Sequence, residues 1–210
     1  MKVTVIGAGN MGSAFVKQLT RAGHQVSVTA RNLDKARTVA AANPGAAVVN
    51  ADNAAAGADV VVLATGFDDA IAALRSVGKL QGKVVIDVTN PLTADYMGLT
   101  LGYSTSASEE IARAVPGAEV VKAFNTVFAP VLAEGADFGG GRKVSVFLAS
   151  DSPAAKETAR QLADSMGFET IDAGGLKNAR YLEPLAGLNI YLGYGAGLGT
   201  SIAPTFIRKT

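Results

Sequence analysis

The chain has 210 residues, 49% of them apolar and 18% charged, with 19 basic against 18 acidic side chains and a net charge of +1. That is about 1.4 ordinary domains with ample apolar material for a large core, and it offers no electrostatic footprint for nucleic acid or an anionic membrane, so neither is expected as a partner. With no cysteine and one histidine, disulfides, thiol nucleophiles and thiolate or multi-histidine metal centres are excluded; no metal is expected, and the chemistry must come from a bound cofactor.

Met1-Lys2 runs directly into the apolar stretch Val3 to Ile6, which Gly7 interrupts. This leaves no room for a signal-peptide core, and a cytoplasmic location is expected. Short β-branched runs follow at Val26 to Thr29, Ala47 to Val49, Val60 to Leu63 and Val84 to Val88. Between them, Met11 to Ala22, Leu33 to Ala42 and Asp68 to Val77 have helical length and pattern. Strand and helix alternating in this way predict an α/β fold of Rossmann type, a doubly wound parallel sheet with helices on both faces.

The pattern continues with a capping box at Ser106 and Glu109 and a strand from Glu119 to Phe124. A further strand is expected at Val144 to Ala149, then a helix opened by Ser152-Pro153 and closed near Gly167, then a strand from Phe168 to Asp172. The tail from about Leu176 should be helical until glycines break it. It carries no charge between Glu183 and Arg208, but Gly187, Gly193, Gly195, Gly197, Gly199 and Pro204 mark it as a buried or interfacial segment and not a membrane span. Residues 1–125 read as a dinucleotide-binding domain, and residues 126–210 as a smaller C-terminal part that contributes to the acceptor site and to homodimer contacts; the division is soft.

Gly7-Ala8-Gly9-Asn10-Met11-Gly12 is a G-x-G-x-x-G placed directly between a strand and a helix. Gly7 permits the tight turn, Gly9 lets backbone approach a pyrophosphate, and Gly12 lets the helix pack close to the strand. An NAD site would place a carboxylate about twenty residues further on, at the end of the second strand. That strand instead ends Thr29-Ala30-Arg31-Asn32, with Lys35 one turn into the next helix. Arg31 and Lys35 can hold a 2′-phosphate and Thr29 can donate a hydroxyl, which selects NADP.

The reducing chemistry has no evident acid or base. His24 lies at the edge of the sheet opposite the strands' carboxyl ends, and no Tyr-x-x-x-Lys occurs. Asp68-Asp69 reads as a pair of acids favoured at a helix start, and Gly139 to Lys143 as a mobile turn. Hydride transfer without a proton donor suits an acceptor that stabilises its own reduced form, such as a flavin or deazaflavin held face to face with the nicotinamide. The glycines Gly195, Gly197 and Gly199 either let backbone approach such a ring or form a packing face.

The chain resembles the coenzyme F420-dependent NADP oxidoreductase family and the related oxidoreductase domain of the STEAP metalloreductases. The likeness rests on Val5 to Gly12, Ala30-Arg31-Asn32 with Lys35, Asp87-Val88-Thr89-Asn90-Pro91, Val121 to Thr126 and Asp172 to Arg180. It implies that the phosphates lie on Gly9, Asn10, Met11 and Gly12, with the nicotinamide half beside Ala64, Thr65, Gly66 and Asn90. It also implies an acceptor ring bordered by Asn125, Thr126, Val127 and the C-terminal Gly195, Leu198 and Gly199. Asn125 stands where archaeal F420 enzymes carry His, and Phe124-Asn125-Thr126 is similar to the STEAP-like members, which use ordinary flavins. The expected activity is hydride transfer between NADPH and F420, FMN or FAD. An NADPH:flavin reductase feeding ferric iron or quinone, and a non-catalytic NADPH-binding redox sensor, remain as alternatives.

Overall fold

Strands that are apolar on both faces must be covered on both faces, and the computed structural model, which describes residues 1–206 and 209, shows how. The first half of the chain runs β1 (Lys2–Ile6), α1 (Asn10–Arg21), β2 (Gln25–Thr29), α2 (Leu33–Ala41), β3 (Ala46–Val48), β4 (Val60–Leu63), α3 (Phe67–Ser76), β5 (Val84–Asp87), α4 (Ala107–Ala114) and β6 (Glu119–Lys122). Its six strands form one parallel sheet in the order β3-β2-β1-β4-β5-β6. Successive residues of β4 alternate between the two sides: Val60 and Val62 join a core with Phe15, Leu19, Phe124 and Leu162, while Val61 and Leu63 join one with Leu74 and Ile111.

The register sets Thr29, Ile6, Leu63, Asp87 and Lys122 in one row across the carboxyl ends of neighbouring strands. The strand order reverses at β1, which is where a doubly wound sheet opens a crevice. The elements expected from sequence are present within a residue or two, with one informative difference. β6 stops at Lys122, short of Phe124, because Phe124 has φ +59, a left-handed conformation that no strand sustains.

The rest of the chain forms α5 (Ala129–Glu134), β7 (Ser145–Leu148), α6 (Pro153–Ser165), β8 (Glu169–Asp172) and α7 (Ala179–Ile190), which continues as one π-helical turn over Tyr191–Gly195. Lys122 and Ala149 exchange two backbone hydrogen bonds of 2.9 and 3.1 Å in the antiparallel sense, so β7 and β8 lie beyond β6 along the same edge. The first turn of α4 is capped twice over: Glu109 N–H donates to Ser106 Oγ, and Ser106 Oγ donates to Glu109 Oε2. Glu109 also receives a two-pronged bond from Arg180 at 2.7 and 2.8 Å, which clasps α7 to α4 and holds the Glu109 carboxyl below the usual carboxylate range.

Beneath that clasp lies a fully buried ion cluster. Lys122 Nζ donates to Asp87 Oδ2 (2.8 Å), Glu183 Oε1 (2.9 Å) and Thr89 O (2.7 Å), so its three protons meet three acceptors. Asp87 also accepts from Ser108 Oγ (2.5 Å) and Thr89 N–H (2.8 Å), and Glu183 accepts from the Ala107 and Ser108 N–H groups at the start of α4. The helix terminus thus shares the negative charge of two carboxylates that one ammonium cannot balance alone.

Removing one partner of such a cluster leaves buried charge unpaired. Lys122→Met is expected to lower stability by about 3–5 kcal/mol. Adding Asp87→Asn and Glu183→Gln to the same chain should recover a large part of that loss. Urea unfolding midpoints of the single and triple variants are the check; an unchanged midpoint for Lys122→Met would contradict the assigned role.

Candidate functional site

Two clefts open at the carboxyl ends of the strands, on either side of the start of α1. The turn that separates them has little freedom. Gly7 has φ +116, and a Cβ on it would lie 2.3 Å from Ala64 O; a Cβ on Gly12 would lie 1.9 Å from Gly7 O. Both positions require glycine for the packing of α1 against β1 and β4. Gly9 is different: a Cβ there meets nothing within 4 Å. Its backbone faces open space at the N-cap of α1, which has no side-chain cap and no acid in its first turn. A helix start with amides left free in this way is suited to an anion.

The first cleft, of about 740 Å³, lies between this turn, the end of β2 and the start of α3. Gly7, Gly9, Thr29, Arg31, Lys35, Ala64, Thr65 and Gly66 all line it. Asn32 caps α2 by accepting from the N–H groups of Asp34 (2.9 Å) and Lys35 (3.2 Å), which places Arg31 on the lip and Lys35 one turn in. Thr29 is buried, and its Oγ1 has no partner among the described residues. Asp69, from the first turn of α3, lines the cleft too and accepts from Arg31 Nη1 at 3.1 Å. Read as a simple helix-start acid, Asp69 gave no hint in sequence of this long-range pairing.

The second cleft, of about 620 Å³, is lined by Asn90, Asn125, Thr126 and Val127, and also by Asn10 and Met11, which the sequence resemblance sets on the phosphates with Gly9. Asn90 and Asn125 lock each other: Asn90 Nδ2 donates to Asn125 O (2.9 Å), and Asn125 Nδ2 donates to Asn90 Oδ1 (3.0 Å) and to Leu182 O (2.9 Å). With both its amide protons engaged, Asn125 keeps Oδ1 as a buried acceptor without a partner among the described residues, and Thr126 Oγ1 is in the same condition. Phe124, in its left-handed conformation, turns the chain so that this asparagine and threonine follow β6 into the cleft.

Gly195, Leu198 and Gly199 are not among the lining residues of either cleft. The close approaches in that segment are to the protein's own rings: a Cβ on Gly193 would lie 2.8 Å from Phe128 Cζ, and one on Gly195 would lie 2.8 Å from Tyr191 Cδ2. Leu198 and Gly199 fold back, their N–H groups donating to Leu192 O and Gly193 O at 3.0 Å each. The wall on this side is made instead by residues that sequence patterns did not single out: Tyr96, Met97, Phe128, Asn189 and Tyr194. Tyr96 has φ +62, a conformation unusual for a bulky residue, and Asn189 Nδ2 donates to Thr126 O at 3.1 Å. The one acid of this wall, Asp95, accepts from Thr93 Oγ1 at 2.6 Å, which holds its carboxyl below the usual range.

His24 stands at the opposite edge of the sheet, bonded to Ser165 Oγ (2.8 Å) and the N-terminal amine (3.2 Å), with its pKa lowered by burial. Among the described residues no cluster of three metal-ligating side chains occurs, and no helix is long and apolar enough to cross a membrane. An anion-binding helix start, a basic lip and a second cleft with locked amides suit a dinucleotide whose reactive end crosses from one cleft to the other.

The comparisons with known proteins point the same way. The family model for NADP oxidoreductase, coenzyme F420-dependent, matches residues 2–91. F420-dependent NADP reductase of Methanothermobacter marburgensis is 34% identical over 209 residues, covering 91% of this chain and 92% of that protein. Metalloreductase STEAP3 of Rattus norvegicus is 30% identical over 185 residues, which is 88% of this chain; the match spans only 36% of the metalloreductase. Among solved structures, one from Arthrobacter sp. fb24, whose description proposes an F420 dependent NADP-reductase, superposes with a TM-score of 0.87 at 30% identity, covering 99% of this chain and 100% of that one. The chain belongs to the family of coenzyme F420-dependent NADP oxidoreductases and is an NADP-dependent oxidoreductase.

Proposed function

We propose that the protein transfers hydride between NADP(H) and a planar flavin-type acceptor, F420 or an ordinary flavin, across the start of α1. The observation that carries this reading is that consecutive residues at the start of α1 line one cleft each, Gly9 the first and Asn10 the second. The amides of the α1 start would hold the diphosphate. Arg31, Lys35 and the Thr29 hydroxyl would hold the 2′-phosphate side, and Ala64, Thr65 and Gly66 would border the cofactor on its way to Asn90.

The bound nicotinamide supplies a hydride at its C4, and a flavin-type ring supplies an electrophilic centre that needs no proton donor in the transfer itself. The work left to the protein is positioning. Met11, Val127 and Phe128 give the second cleft apolar surface against which flat rings can lie. Asn125, unable to rotate without losing two hydrogen bonds, offers its Oδ1 as a fixed acceptor toward a ligand N–H. The Thr126 hydroxyl can donate or accept beside it. Tyr96 and Tyr194, both well exposed, flank the opening through which an acceptor enters.

Support for F420 comes from the Methanothermobacter relative's name, and support for an ordinary flavin with onward transfer to a metal from the metalloreductase relative's name together with the resemblance of Phe124-Asn125-Thr126 to STEAP-like members. NADPH oxidation by the purified protein, measured side by side with F420, FMN, FAD and a ferric chelate, separates these. Fast turnover with F420 or a flavin is expected; oxidation by none of them would overturn the reading in favour of a non-catalytic NADPH-binding sensor. The basic lip is tested separately. A charge-assisted hydrogen bond is worth about 1.5–3 kcal/mol, so Arg31→Ala should weaken NADPH binding by about tenfold or more and leave NADH binding little changed. Equal losses for both in calorimetry would contradict the 2′-phosphate assignment.

A further inference from the structure

Arg31 is not waiting alone on the lip of the first cleft. Its Nη1 lies 3.1 Å from Asp69 Oδ1, an ion pair between the residue just after β2 and the first turn of α3. Both side chains are largely exposed, 87% and 58%, and both belong to the lining of the same cleft as Lys35. The adjacent Asp68 does not share this position, since neighbours on a helix point in different directions. Only one of the two acids is therefore aimed across the cleft at the cationic lip.

We propose that Asp69 is a specificity-determining residue that competes with the dinucleotide's 2′-phosphate for Arg31 and so sets how tightly NADP(H) is held. The inference rests on the reading of Arg31 as a 2′-phosphate ligand. A guanidinium binds a phosphate best with two parallel N–H groups, and the pair with Asp69 already engages one of its terminal nitrogens. Full engagement of a phosphate thus requires Arg31 to turn from Asp69 or to share its fork, while the carboxylate remains nearby as a like charge to the incoming dianion. The effect on affinity is modest because the pair is exposed and screened by salt. Such a device tempers the basic lip: the phosphate is still recognised, but the cofactor in either redox form is held less strongly than Arg31 and Lys35 would hold it unopposed.

The test is calorimetry of NADPH and NADH with the wild type, Asp69→Asn, Arg31→Ala and the double variant, at low salt and again at about 0.5 M salt, where screening is strong. Asp69→Asn is expected to tighten NADPH by roughly two- to fivefold at low salt, the range open to an exposed ion pair, while NADH changes far less. The gain should shrink at high salt and vanish when Arg31 is absent. Weaker NADPH binding by Asp69→Asn, no change, equal tightening of NADH, or a gain that survives loss of Arg31 would each overturn the proposal. Should Arg31→Ala weaken both dinucleotides alike, the 2′-phosphate reading itself fails, an outcome read from that single variant alone. Asp69 is exposed and makes its only side-chain bond among the described residues with Arg31, so the asparagine variant is expected to fold, and an unchanged thermal midpoint verifies it.

Discussion

One buried ammonium organises the acceptor end of this molecule. Lys122 sits at the end of β6 with no solvent contact, and its three bonds reach the end of β5, the peptide beyond it, and α7. A buried charge is costly unless every partner is in place, so the positions of Asp87, Thr89 and Glu183 are interdependent. The residues that face the second cleft follow directly from these anchors. Asn90 is one residue past Thr89, and Asn125 is three past Lys122 and bonds the carbonyl of Leu182, the neighbour of Glu183. The ion cluster forms no wall of the cleft, yet it determines where the two asparagines stand.

The two clefts divide the labour of an oxidoreductase in a way that the strand order makes possible. At β1 the sheet's connections turn from one direction to the other, and the start of α1 stands exposed above it. On one side the chain offers free amides, a basic lip and a buried hydroxyl. On the other it offers apolar surface with a few locked polar atoms. In the proposed function the first side would recognise charge and the second shape, and a dinucleotide has one end suited to each. The ion pair between Arg31 and Asp69 shows that the charge side is balanced by an opposing acid and not simply basic.

What could be read from sequence was what depends on neighbours along the chain. The β1–α1 turn was legible because Gly7 and Gly12 answer to contacts within the same βαβ unit, and the end of β2 because Arg31 and Lys35 are one turn apart around a capping Asn32. The capping box of α4 and the proline start of α6 were legible for the same reason. The buried cluster was not: Asp87, Lys122 and Glu183 lie far apart in the chain, and each alone looks like an ordinary charged residue. Nor was the cross-cleft role of Asp69. The C-terminal glycines were legible only in part: Gly195 does stand close to a ring, that of Tyr191, as Gly193 does to Phe128, whereas a Cβ on Gly197 or Gly199 meets nothing within 4 Å. Spacing reveals freedom of the backbone but not which ring it meets.

In the proposed reaction hydride passes directly from one cleft to the other without a protein acid or base. This is tested most directly in a single turnover with NADPH carrying deuterium on one or the other face of the nicotinamide C4, mixed with the acceptor that turns over fastest. A primary isotope effect is expected for one label only, because the locked asparagines and the apolar wall would present a single face of the ring to the acceptor. Equal slowing by both labels, or no isotope effect with a chemical step resolved in time, would contradict it.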